Sequence, residues 1–216
     1  ALDAEDGRVL WTFTAGGRVD SSPTFYRGLA IFGSRDGSVY CLDADTGELV
    51  WRFFAAVNGR QLVSCGQLES LWPVSGSVLI EDSALYCAAG KSGFLTGGIT
   101  LYQLDPATGR QRSKTRLDLL DPDGRQTKVD WLSMPGALPD VLSSDGEYIY
   151  MRHIAFDLDG KRLDHPGHDH LYSANGFLDR SEFHRTFWKV GKGSIEARSG
   201  APTGRGRGSK LISMGE

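Results

Sequence analysis

The sequence predicts an all-β chain built from repeats. Residues 2–11 read LDAEDGRVLW, and residues 42–51 read LDADTGELVW, so a leucine, an aspartate, a glycine and a tryptophan return with the same spacing. A period of about 40 residues is typical of stacked or radial repeat folds. The chain also has 28 glycines among its 216 residues and no window with a sustained helical stripe. We therefore expect the repeat unit to consist of strands.

One repeat contains the signals for a four-stranded meander. Strands are predicted at 21–25, 28–33, 38–42 and 48–53. Asp36 and Gly37 favour a tight hairpin between the second and third strands, since glycine adopts the positive φ that such turns require. In the turn at 43–47, the carboxylate of Asp43 can accept backbone N–H bonds and Gly47 can take the left-handed position. Four antiparallel strands in about 40 residues are typical of one propeller blade.

The motif that ends each repeat resembles the PQQ-like repeat, in which a leucine and an aspartate precede a Thr-Gly turn and a tryptophan. The match is close at 2–11 and at 42–51. It is weaker at 104–110, where the tryptophan position falls near Ser113, and it is faint at 156–161. The resemblance implies that the tryptophans dock against turns of neighbouring blades. The residues that it assigns to this docking are Trp11, Trp51, Asp43, Gly47, Asp105 and Gly109.

The resemblance implies a partial β-propeller of four-stranded antiparallel blades, with about three fairly complete blades and two partial ones. The expected segments are a blade end at 1–15, blades at 20–54, 72–115 and 138–164, and a partial blade at 168–216. Propellers close their ring because open strand edges pair with other chains. We therefore expect the remainder of a longer parent chain to complete the ring. A small ring that closes irregularly is the alternative.

Several connections between the predicted strands are longer than the minimal repeat needs. They are the crossovers at 55–71, 116–138 and 164–170 and the loop at 88–98. Because a meander reverses direction at every strand, these connections should emerge on one face, opposite the short turns at 45–47, 82–83, 108–109, 145–146 and 159–160. Loops on a rigid scaffold often carry binding residues. The candidate binding residues are Arg60, Lys91, Ser92, Trp131, His170, His184 and Arg185. Padding loops that cap a wide channel are the alternative.

The histidines near residue 168 raise the question of a metal site. His168 and His170 alternate, and in a strand both rings would lie on one side. Imidazole and carboxylate ligands suit zinc or a similar divalent ion. The spacing, however, matches no strong zinc pattern. We expect no metal, and His168 and His170 remain the weak candidates.

The resemblance also raises the possibility of a quinone-dependent dehydrogenase. Those enzymes hold PQQ with a calcium ion, and many carry a disulfide between adjacent cysteines. Here Cys41, Cys65 and Cys87 are never adjacent, and no calcium ligand set can be matched position by position. Cys41 and Cys87 lie in apolar strands and are expected to be core residues. We expect no cofactor, with PQQ and calcium as the alternative.

Charge and hydropathy limit the remaining classes of function. The net charge of −3 argues against nucleic-acid binding, and no apolar run is long enough for a transmembrane helix. The sequence therefore favours a non-catalytic propeller scaffold for protein or ligand binding on the long-loop face, in a periplasmic, cell-envelope or secreted bacterial protein. The alternatives are a fragment of a PQQ-dependent dehydrogenase and a sensor or ligand-presenting module fused to another domain.

Overall fold

The chain folds entirely into strands, turns and loops in the part that the structure describes. This computed structural model describes residues 1–64, 66–118, 123, 141–165, 167–173, 188–191 and 210–212. Within these ranges there are sixteen strands, and no helix is present. The predicted all-β fold class is confirmed.

Two sheets are complete four-stranded antiparallel meanders, which we call the first and second blades. The first blade contains β1 (Thr24–Tyr26), β2 (Leu29–Gly33), β3 (Ser38–Asp43) and β4 (Leu49–Phe54), paired in that order. Between the blades, β5 (Gln61–Ser64) and β6 (Gln67–Ser70) form a separate hairpin. The second blade contains β7 (Leu79–Glu81), β8 (Ala84–Ala89), β9 (Ile99–Leu104) and β10 (Gln111–Leu117).

Two further sheets have three strands each. The third blade contains β11 (Leu142–Ser144), β12 (Ile149–Met151) and β13 (Ile154–Phe156). The last sheet contains β14 (His170–Ser173), β15 (Trp188–Gly191) and β16 (Lys210–Ile212). In the third blade a single bridge from Phe156 to Arg162 stands where a fourth strand would begin.

The blades pack face to face, as β8 shows. All six of its residues are buried. Side chains alternate between the two faces of a strand, so Leu85 and Cys87 enter a core shared with the first blade, whereas Tyr86 and Ala88 enter a core shared with the third. A strand that is buried on both faces needs apolar residues throughout, which explains the continuous apolar run in the sequence.

A β-bulge recurs at the same position in both complete blades. The pairing of β3 with β4 skips Val50, and the pairing of β9 with β10 skips Arg112. The residue after each bulge then lies opposite the third strand, where Trp51 pairs with Cys41. Since Cys41 belongs to the core shared with the second blade, the bulge directs the Trp51 side chain toward that blade.

Each repeat tryptophan lies over a glycine turn of the following blade. The Trp11 indole N–H donates to the carbonyl of Ala44 at 3.1 Å, and a Cβ placed on Gly47 would lie 2.5 Å from the Trp11 ring. The Trp51 indole donates to Pro106 at 3.1 Å, and a Cβ on Gly109 would lie 2.6 Å from its ring. We call this arrangement the indole–glycine contact.

The turns beneath the indoles are held by their first aspartate. Asp43 Oδ1 accepts the backbone N–H of Asp45 at 3.1 Å and that of Thr46 at 2.8 Å. Asp105 makes the same pair of bonds in the second blade. The turns close on Gly47 and Gly109, whose φ values are 75° and 68°. Glycine is therefore required twice, for its left-handed backbone and for the close approach of the ring.

Gly109→Ala tests the indole–glycine contact. Left-handed backbone costs a non-glycine residue about 1–2 kcal/mol, and forcing a methyl group against a packed ring adds about 1–3 kcal/mol. We expect Gly109→Ala to lower the free energy of unfolding in urea by about 2–4 kcal/mol. The matched control is Gly28→Ala, because Gly28 has a φ of 79° but no atom within 4 Å of its added Cβ. Equal losses in the two variants would show that the ring does not constrain the turn.

Candidate functional site

Two long connections and the short loop at 34–37 meet at one end of the first two blades, which we call the long-loop side. The backbone N–H of Ser70 donates to the carbonyl of Arg35 at 2.7 Å, and that of Ala55 donates to Gly37 at 2.9 Å. The indole of Trp72 reaches the carbonyl of Thr96 at 2.8 Å. The loop at 34–37, the crossover at 55–71 and the loop at 88–98 are thus brought together, as the alternation of the meander predicts.

A chain of ion pairs runs through this side of the molecule. The Arg35 guanidinium pairs with Asp20 and, at 2.6 Å, with Glu69, whose other oxygen pairs with the ammonium of Lys91. The Glu69 side chain is 3% exposed. Burial by itself would raise the pKa of Glu69, but hydrogen bonds from Lys91, Arg35 and Ser64 outweigh burial and hold that pKa below its usual range. The crossovers into both blades are therefore cross-linked by charge.

The predicted binding residues of the second blade are engaged within the protein. Lys91 is bound to Glu69, and the Ser92 hydroxyl accepts the N–H of Phe94 at 3.1 Å. Lys91 therefore contributes to the arrangement of the loops. A ligand that uses its ammonium group must compete with the Glu69 carboxylate.

The β5–β6 hairpin presents apolar side chains to solvent on the long-loop side. Val63 and Leu68 are direct cross-strand partners and so lie on the same face of the hairpin. Their side chains are 74% and 57% exposed. Arg60, another predicted binding residue, is exposed at the base of the hairpin, where its carbonyl accepts the N–H of Leu71. We call Arg60, Val63 and Leu68 the hairpin surface.

His168 lies against a turn of the third blade. Its Nδ1 is 2.9 Å from Asp145 Oδ2, and its Nε2 is 3.8 Å from Glu147. Partial burial by itself would raise the pKa of Asp145, but hydrogen bonds from Tyr150, from two backbone N–H groups of the turn and from His168 hold that pKa well below its usual range. Burial and the bond to Asp145 raise the pKa of Tyr150 to about 12.

This contact corrects one sequence prediction. Residues 164–170 were expected on the face opposite the turn at 145–146, yet His168 touches Asp145 in that turn. The reason is that the fourth strand of the third blade is reduced to one bridge, at Phe156 and Arg162. The chain therefore reverses before it has crossed the blade.

His170 is buried and stacked on an aromatic ring. Its imidazole lies 3.7 Å from the Tyr150 ring centroid at an interplanar angle of 17°. Nδ1 is 3.0 Å from the carbonyl of His168, and Nε2 is 2.6 Å from that of Arg152. The two weak metal candidates thus face different partners. Within the described ranges, no group of three or more His, Cys, Asp or Glu residues is arranged to hold a metal ion.

Other predicted residues are core residues or fall outside the described ranges. Cys41 and Cys87 are buried thiols of the core between the first two blades, and burial raises their pKa values to about 11 and 12. Thiols of such high pKa are poor nucleophiles at neutral pH. Trp131, His184 and Arg185 lie outside the described residues.

The structure also contains a cleft that the sequence prediction missed. It has a volume of about 600 Å³ and lies between the second and third blades, at the end that carries the short turns. Tyr86, Gln103 and Ser113 line it, and all three donate hydrogen bonds to carbonyls of residues 158–159. The available signal was Ser113, which occupies a tryptophan position of the repeat.

Comparison with known protein families gives a match over more than half of the chain. A family model described as outer membrane protein assembly factor BamB matches residues 1–128. The outer membrane protein assembly factor BamB of Shewanella oneidensis is 41% identical over 51 residues, which are 24% of this chain and 13% of that protein. The chain therefore matches a small part of this relative's length.

Solved structures show the same fold at low sequence identity. Quinohemoprotein alcohol dehydrogenase ADHIIG from Pseudomonas putida HK5 matches with a TM-score of 0.58 and 15% identity, over 88% of this chain and 35% of that one. Quinohemoprotein alcohol dehydrogenase from Comamonas testosteroni matches with a TM-score of 0.54 and 15% identity, over 75% of this chain and 31% of that one. These neighbours confirm a partial β-propeller. At this sequence identity, the similarity is evidence for the fold alone. The described residues form no helix with the length and apolarity that a membrane crossing requires.

Glu69→Gln tests whether the ion-pair chain stabilises the loops. Removing one partner of a buried pair leaves the other charge uncompensated, and we expect a loss of about 3 kcal/mol in the free energy of unfolding at pH 7. The control is Glu5→Gln, because Glu5 is exposed; its change should stay within about 0.5 kcal/mol.

The pH dependence of the same variant gives a second check. A carboxyl whose pKa is lowered by folding stabilises the protein above its unfolded pKa, which is about 4.3 for glutamate, and this contribution is lost as the pH falls toward the folded value. The gap between wild type and Glu69→Gln should therefore narrow in urea titrations below about pH 4. A gap that stays constant down to pH 3 would contradict the role assigned to Glu69.

Proposed function

Because the chain belongs to the family described as outer membrane protein assembly factor BamB and is built from PQQ-like repeats, we propose that it is a non-catalytic propeller scaffold that binds a protein partner. The name of the Shewanella relative refers to the assembly of outer membrane proteins. We extend that role, and the bacterial cell envelope as the location, to this chain.

The observation that carries the proposal is the hairpin surface. Val63 and Leu68 expose two large apolar side chains on a short hairpin that rises from a crossover, and the exposed Arg60 precedes this hairpin at its base. The fully buried core of a protein interface is more apolar than the rest of the surface, and arginine is enriched in interfaces. An exposed pair of this kind contributes nothing to the core of the chain itself.

The base of the hairpin surface is rigid, which favours binding. Glu69, in the strand that returns from the hairpin, is fixed by Arg35 of the first blade and Lys91 of the second. Gly37 lies against Ser70 at the end of the same strand, since an added Cβ there would meet the Ser70 hydroxyl at 2.9 Å. A preorganised surface loses less conformational entropy on binding than a free loop.

The chemistry of the described residues supports a scaffold over an enzyme. The two described thiols have strongly raised pKa values, and the imidazole of His170 is occupied by carbonyl oxygens and a stacked ring. A dehydrogenase fragment and a ligand-presenting sensor module remain the alternatives, and the former would require bound PQQ and calcium.

The paired substitution Val63→Glu and Leu68→Glu tests the hairpin surface. In the bacterium that encodes the chain, with the native gene deleted, the wild-type protein should restore the amount of folded outer membrane proteins, measured by gel mobility without heating. We expect the double variant to fail, because charging a central apolar contact costs about 2 kcal/mol or more, or ~30-fold in affinity. Its urea midpoint should match the wild type, since both side chains are exposed.

The control is Val50→Glu, which changes a 48% exposed valine on β4, outside the hairpin. Full restoration by the double variant, or failure of the control to the same extent, would contradict the proposal. A melting temperature that rises with added PQQ and calcium, together with dye-linked alcohol oxidation, would instead support the dehydrogenase alternative. We expect no such rise.

A further inference from the structure

The repeat tryptophan is absent from one interface between blades. Trp51 and Ser113 are equivalent, since each follows the bulge and each lies opposite the third strand of its blade. Gly109 is covered by the Trp51 ring. Gly160, in the corresponding turn of the third blade, would meet only the Ser113 hydroxyl within 4 Å of an added Cβ, at 3.2 Å. The third turn is one residue shorter than the others, because the Gly160 N–H donates to the carbonyl of Asp157 three residues earlier, and it lacks an indole.

The change extends across the whole sheet. In the first blade, the row of paired residues that faces the next blade is Ile31, Cys41 and Trp51. In the second blade, the equivalent row is Tyr86, Gln103 and Ser113. An apolar row with an indole has been replaced by a polar row without one.

The polar row holds the turn and leaves room above it. Tyr86 and Gln103 both donate to the carbonyl of Leu158, Gln103 at 2.8 Å, and Ser113 donates to that of Asp159 at 2.6 Å. These bonds replace the attachment that the indole N–H supplies at the other interfaces. The space beside them is the cleft of about 600 Å³, and the exposed carboxylates of Asp82 and Asp159 lie at its rim.

We propose that this cleft binds an aromatic side chain of a partner polypeptide, a tryptophan or tyrosine ring that occupies the place of the missing repeat indole. The face of the ring would pack on Leu158 and Asp159, beside the Gly160 turn, at the end of the blades where the indoles of Trp11 and Trp51 pack on their turns. Both lone pairs of the Leu158 carbonyl are already used. The donor at the ring edge would therefore reach the rim carboxylate of Asp82 or Asp159. The site is independent of the hairpin surface, which lies on the long-loop side.

The probe is 5-fluoroindole, followed by its ¹⁹F NMR signal in the presence of the 216-residue chain. We expect line broadening with the wild type, and amide shifts of the protein at Leu158 and Asp159. Ser113→Trp should abolish the broadening, because the new ring fills the cleft. The matched control is Lys114→Trp, which adds the same ring to β10 on its opposite face and should leave the broadening intact.

Folding of the variants provides an independent check. If the third turn accepts a ring, Ser113→Trp should unfold at a urea concentration equal to or above that of the wild type. A urea midpoint of Ser113→Trp below that of Lys114→Trp overturns the proposal. So does a 5-fluoroindole titration of the wild type in which the ¹⁹F signal does not broaden, or in which only amides other than those of Leu158 and Asp159 shift. A further outcome is that N-acetyl-argininamide displaces 5-fluoroindole from the wild type but not from Asp82→Asn. This result would show that the cleft binds cations, and it would also overturn the proposal.

Discussion

The contact between an indole ring and a left-handed glycine turn is the interaction on which the arrangement of the blades depends. The first blade ends in a strand with one free edge, and the bulge in that strand turns Trp51 out of its own sheet. The ring then covers the glycine of the next turn and donates its N–H to a carbonyl there. The indole–glycine contact thus fixes the position of the next sheet at one end of the interface. The apolar cores fill the rest of the space between the two sheets.

The two ends of the blades differ in how neighbouring segments are held together. On the long-loop side the described residues include no repeat tryptophan, and ion pairs among Arg35, Glu69 and Lys91 connect loops that are far apart in sequence. A buried ion pair has strict geometry, so it orients the hairpin surface more than it adds to stability. On the short-turn side, the interface without an indole contains the cleft. The two places where we propose that a partner binds therefore both depart from the repeat.

The repeat makes much of the fold predictable from the sequence, because its information is local. The turn aspartate, the glycine with positive φ and the tryptophan fall within ten residues, and the apolar strands around Cys41 and Cys87 identify these two as core residues. The role of Glu69 could not be predicted in this way, since its partners are 34 and 22 residues away and no local pattern connects them. The path of the chain to His168 was predicted wrongly, because the shortened fourth strand of the third blade leaves no sign in the spacing of the repeat.

A double-mutant cycle between Trp51 and Gly109 tests the central claim most directly. Trp51→Ala removes the ring, and Gly109→Ala introduces the methyl group that the ring excludes. If the indole–glycine contact joins the blades, the two changes must be coupled. In the Trp51→Ala background, Gly109→Ala should then cost only its backbone strain, about 1–2 kcal/mol, as expected for Gly28→Ala. Costs that add without coupling, measured as free energies of unfolding in urea, would contradict the account.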